Sequence, residues 1–146
     1  MVTKILLNLV FVAIVIMPAT SNAEDPTAVA TTTNVTTAGG TLYSFTVRYA
    51  DDGEIRVSTI DNNDVRVTGP GGFDVAAAFV SVNINSNGSI AIATYSIVPP
   101  GSSWDFADNG TYNVVMQANA VLDGLGNPVA AGNIGSFTVM TPPSTP

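Results

Sequence analysis

The chain has 146 residues, a formal net charge of −7, no histidine and no cysteine. Those absences exclude Ser-His-Asp and Cys-His catalysis, zinc held by imidazole or thiolate, and any disulfide framework. The excess of acids makes a surface that repels nucleic acid and anionic membranes and attracts cations.

The chain opens on Lys4, the apolar run Ile5 to Met17 broken only by Asn8, then Pro18 and the small-residue exit Ser21-Asn22-Ala23. A positive start, a short apolar core and a small-x-small exit predict a secretory signal peptide over 1–23, cleaved after Ala23. The apolar run falls short of the roughly 18 residues that span a bilayer, so no membrane role is expected after cleavage. The remainder keeps Arg48, Arg56 and Arg66 against eleven acids, a net charge near −8. It is about one domain long by the usual range of roughly 100–200 residues. An exported sandwich without cysteine fits a bacterial or viral surface protein better than a small eukaryotic secreted domain.

No segment has the period of a long amphipathic helix. Short period-two runs alternate with Gly, Asn, Asp and Pro, the pattern of an all-β chain. Residues 24–41 form a polar, Thr-rich leader in which Ala28 to Val35 is a first strand or a mobile arm, and Gly39-Gly40 is a turn. The run from Leu42 to Ala50 is the clearest strand, with Tyr43, Phe45, Val47 and Tyr49 on one face. A long loop follows from Asp51, with a turn of helix near Ser58 to Asn62. Val65 and Val67 point inward from a short strand, and Gly69-Pro70-Gly71-Gly72 is a turn. Phe73 to Asn83 and Ile90 to Val98 read as a hairpin around Asn85-Ser86-Asn87-Gly88. The phase of alternation slips inside each run, which predicts a β-bulge or a bend that switches sheets. Trp104 falls in the next loop, as a plug over one end of the core. Tyr112, Val114 and Met116 make another inward face, Asp123 to Asn127 is a turn-rich loop, and Phe137 and Val139 close the fold. The domain is expected over 42–140, with a Pro-rich tail over 141–146 that cannot enter a sheet interior.

Asp108-Asn109-Gly110-Thr111-Tyr112 at the head of a strand reads Asp-x-Gly-x-Tyr, the pattern of a tyrosine corner, in which a Tyr hydroxyl bonds the backbone just upstream. Together with Tyr49-Ala50-Asp51-Asp52-Gly53, Asp61 to Pro70, Trp104-Asp105 and Asp123-x-x-Gly126-Asn127, it resembles bacterial Ig-like modules of secreted, adhesin-like surface proteins and, more distantly, S-layer-type modules. The resemblance spans about Leu42 to Val139. It implies an all-β, Ig-like β-sandwich of about seven antiparallel strands with Greek-key connections, serving as a structural or adhesive unit without catalytic residues. The chain departs from antibody domains: Val114 stands where the second core cysteine would be, and the strand-C tryptophan is missing.

An up-down reading of the strands gathers Asp51, Asp52, Asp61, Asn62, Asp64, Asp123 and Asn127 at one pole and leaves Asp105 and Asp108 at the other. Calcium takes six to eight oxygens from carboxylates, amides and carbonyls, and Asp51, Asp52, Asp61, Asp123 and Asn127 could supply them. The same residues are good formers of Asx-turns, which cap backbone N–H groups without any metal. Asp108, Tyr112 and Trp104 are expected to be structural. The expected function is a secreted, non-catalytic surface module for adhesion or extracellular assembly, contacting a cell-surface protein, a glycan or its own copies. Two alternatives are a calcium-dependent carbohydrate-binding module, which an exposed Trp104 beside Asp105 and Asp108 would favour, and a filament subunit that donates Ala28 to Val35 to a neighbour's sheet edge.

Overall fold

β-Branched and aromatic residues alternate with small polar ones along most of the chain, and the structure turns these runs into strands. It is a computed structural model and describes residues 24–144. The expected signal peptide over 1–23 and its cleavage site lie outside the described residues, as do Thr145 and Pro146. Eight strands form among the described residues: β1 (Thr27–Thr31), β2 (Tyr43–Ile55), β3 (Val65–Thr68), β4 (Asp74–Ala76), β5 (Ala78–Val82), β6 (Gly88–Ile97), β7 (Gly110–Met116) and β8 (Gly132–Val139). They build two four-stranded sheets, β1-β2-β6-β5 and β4-β3-β7-β8, with every strand pair antiparallel. In chain order this is the ABED and C′CFG arrangement of an immunoglobulin sandwich.

The core follows the alternation. Tyr43, Phe45, Val47 and Tyr49 of β2 are buried, as are Tyr112, Val114 and Met116 of β7 and Phe137 and Val139 of β8. Burying each such side chain contributes about 1.5–3 kcal/mol. Phe137 stacks on Tyr43 at 4.1 Å between ring centroids and on Tyr112 at 5.1 Å. Trp104, buried, reaches in from the β6–β7 connection and meets Tyr112 edge-on at 5.2 Å.

The phase slip after Phe73 is a change of sheet. β4 belongs to one sheet and β5 to the other, so the sandwich has eight strands where about seven were expected. The pivot is Ala77, fully buried, whose N–H donates to the Val65 carbonyl oxygen at 3.0 Å. β2 also outruns its expected end at Ala50. It bulges through Asp51, Asp52 and Gly53 and rejoins β6 at Ile55, opposite Gly88. Ile55 is fully buried, and the core draws the strand back after its polar excursion.

β1 pairs with β2 of its own chain, and the segment after it crosses to the far sheet, where Val35 bridges Val139 in parallel. That crossing covers the outer edge of β8: the Thr138 N–H donates to Asn34 Oδ1 at 2.9 Å, and the Val35 N–H donates to the Thr138 carbonyl at 2.9 Å. The edge of β5 is capped likewise, by the Phe79 N–H donating to Asn62 Oδ1 at 2.7 Å. Uncovered edges invite pairing with other chains, and two are closed here by asparagine side chains.

Candidate contact site at one pole of the sandwich

The β2–β3, β5–β6 and β7–β8 connections share one pole. They are stitched to one another rather than merely adjacent. The Glu54 carbonyl accepts the Gly124 N–H at 2.8 Å, and Arg56 Nη2 donates to the Gly124 carbonyl at 3.0 Å. Asn87 works in both directions, its Nδ2 donating to Glu54 Oε1 at 3.0 Å and its Oδ1 accepting the Val57 N–H at 3.1 Å. The Arg56 N–H donates to the Leu122 carbonyl at 2.9 Å, and the Leu122 N–H donates to Thr59 Oγ1 at 3.1 Å. A Cβ at position 124 would sit 2.7 Å from Glu54 Cγ, so a larger residue there would push the Glu54 side chain out of its bond with Asn87. Leu125 stands at the top of the stitched loops with 76 % of its surface exposed. A rigid polar frame around a projecting apolar side chain is suited to contact with a partner.

The residues expected to hold calcium mostly serve their own turns. Asp123 is buried, and both its oxygens are engaged by Asn127: Oδ1 accepts the backbone N–H at 2.7 Å and Oδ2 the side-chain Nδ2 at 2.8 Å. Burial alone would raise the Asp123 pKa. The hydrogen bonds from the Asn127 side chain and from the amides of Asn127, Gly126 and Leu125 outweigh it and hold the carboxyl below its ordinary value. Asp51 Oδ2 accepts the Gly53 N–H at 2.9 Å, and Asp61 Oδ1 accepts the Asn63 N–H at 2.7 Å. Asp52 is exposed on the bulge of β2. Among the described residues, no three acidic side chains lie close enough to share a metal ion. Of the five residues expected to hold calcium, Asp123 and Asn127 are brought together as a turn, while Asp51 and Asp61 each accept the N–H two residues on. The physical reason is that Asx-turns spend carboxylate oxygens on N–H groups two to four residues away.

Asp64 is a residue to which the sequence assigns only a place in that acidic pole. It is fully buried, although the residue after it, Val65, already points inward. Asp64 Oδ2 accepts the Tyr95 hydroxyl at 2.5 Å and the Asp61 N–H at 2.7 Å, and the hydroxyls of Tyr95 and Tyr49 lie 3.0 Å apart. Burial pushes the Asp64 carboxyl up to about 6, against the lowering effect of its Tyr95 and Asp61 hydrogen bonds. Burial likewise raises both phenols, so Tyr49 and Tyr95 are neutral donors. Alternation along one strand could not reveal this cluster, because its members come from β2, β6 and the loop before β3. Leu125 carries a fainter signal, a large apolar side chain between two glycines in an Asp-Gly-x-Gly-Asn turn.

The other pole is built as structure. Asp105 and Asp108 cap a single 3-10 turn, Phe106–Asp108: Ala107 N–H donates to Asp105 Oδ1 at 2.7 Å, and Asp105 N–H donates to Asp108 Oδ2 at 2.9 Å. The Tyr112 hydroxyl donates to the Asp108 carbonyl at 3.0 Å, the bond of a tyrosine corner. Trp104 is only 2 % exposed. It offers no aromatic platform of the kind a sugar stacks on. No family model and none of the curated proteins matches this chain.

Proposed function

We propose that this protein is an exported, non-catalytic Ig-like module that works by contact at the cell surface or in extracellular assembly. The observation that carries the reading is the pole at which Glu54, Arg56, Asn87 and Gly124 lock three loops together under an exposed Leu125. The absence of histidine and cysteine from the sequence supports a role without nucleophilic or acid–base chemistry. The export signal in 1–23 supports an extracellular site of action. The pairing of β1 within its own sheet favours contact through the loops over donation of that strand to a neighbour. The burial of Trp104 likewise favours a protein partner over a sugar stacked on that residue.

The test is binding of the fluorescently labelled 24–146 chain to the surface of the cells that export it. Leu125→Asp should reduce binding at least tenfold, a loss of about 1.4 kcal/mol. The melting curve should not change, because the side chain touches solvent. Binding undiminished by Leu125→Asp would overturn the assignment of this pole.

A further inference from the structure

Asp64 lies where the β2–β3 loop enters the core, and only one of its carboxylate oxygens is engaged. Oδ2 accepts from Tyr95 and from the Asp61 N–H, whereas the buried Oδ1 has no partner among the described residues. The titratable groups facing it are Tyr49 from β2, Tyr95 from β6 and Asp61 from its own loop, none of them a cation. The cation that β3 carries nearby in sequence, Arg66, is spent on Asp74 at 2.7 Å. A carboxylate here has one oxygen stripped of water and no opposite charge in compensation.

We propose that Asp64 is an acid-set latch: it takes up a proton in the folded protein, the neutral carboxyl holds the 61–64 loop onto the sandwich, and loss of the proton toward neutral pH loosens that loop. A proton on Oδ1 leaves Oδ2 free to accept both of its hydrogen bonds and removes the uncompensated charge. The loop it holds also does work elsewhere. The Asp64 carbonyl accepts the Gln117 N–H at 2.8 Å, and Asn62 caps the edge of β5. Loosening at Asp64 therefore reaches the start of the β7–β8 connection and uncovers a strand edge.

The direction in pH follows from linkage. The folded state binds this proton more tightly than the unfolded chain does. The stability it confers is complete below the unfolded value and is lost as pH rises through about 6. Thermal melts of the 24–146 chain from pH 5 to pH 7.5 read this out. The wild type should melt higher at pH 5 by about 5 °C more than Asp64→Asn does over the same interval. The Asn variant retains the general relief of acidic repulsion, so the difference isolates Asp64. Tyr95→Phe removes a donor that favours the carboxylate and should move the midpoint of the wild-type transition to higher pH. An Asp64→Asn slope equal to the wild type's, or a midpoint unmoved by Tyr95→Phe, would overturn the latch. Should the Asn variant fail to fold, wild-type amide exchange decides, after correction for intrinsic rates. Protection in the 61–64 loop should fall about tenfold between pH 5 and pH 7.5, and constant protection would overturn the proposal.

Discussion

Tyr112 joins three separate pieces of the chain through one side chain. Its hydroxyl reaches back to Asp108, its ring stacks on Phe137, and Gly69 passes over its face so closely that a Cβ there would lie 2.4 Å from Cδ1 and Cε1. Burial, reinforced by the Asp108 and Asp105 carboxylates, pushes its phenol up to about 12, so the donor proton stays in place across the working pH range. Tyr112→Phe keeps the ring and loses one hydrogen bond, which should cost about 0.5–1.5 kcal/mol in denaturant melts. Gly69→Ala should cost about 1–3 kcal/mol in the same melts, because the added methyl has to displace a packed ring. The Tyr112 bond was legible in the sequence because Asp-x-Gly-x-Tyr is a local pattern. The Asp64 cluster was not, because its hydrogen bonds span 31 and 46 residues between partners.

Strand faces were readable wherever alternation ran unbroken, as from Tyr43 to Tyr49. The sheet change at Ala77 was half readable: the slip in phase marked a bend or bulge, but alternation does not say which sheet receives the next strand. The extension of β2 to Ile55 was hidden, since Asp51-Asp52-Gly53 has the composition of a loop and rejoins the ladder only because Ile55 enters the core. Edge protection was hidden as well, because it depends on asparagine side chains that meet strands distant in sequence. Asn62→Ala should expose the edge N–H of β5 at Phe79. The variant should keep a cooperative melt but show faster growth of light scattering at high protein concentration than the wild type does. Equal scattering in the two proteins would mean that the Asn62 bond does not guard that edge.

Across the molecule, the two poles differ in kind. One is knitted into the core by Trp104, Tyr112 and the Asp105–Asp108 cap. The other is knitted to itself by Glu54, Arg56, Asn87 and Gly124, with Leu125 facing outward. The sequence located the second pole through its acids. It missed the frame, because hydrogen bonds between three connections cannot be read from the spacing within any one of them. Exposed apolar side chains occur at the first pole too, at Phe106 and Met140, so the choice of contact end is a physical claim and not a matter of elimination. Titration of the labelled 24–146 chain onto the cells that export it, comparing Leu125→Asp with Phe106→Asp, tests that claim most directly. Leu125→Asp should lose at least tenfold in affinity and Phe106→Asp should bind as the wild type does, with cooperative melts for both; the reverse pattern would place the contact end at the other pole.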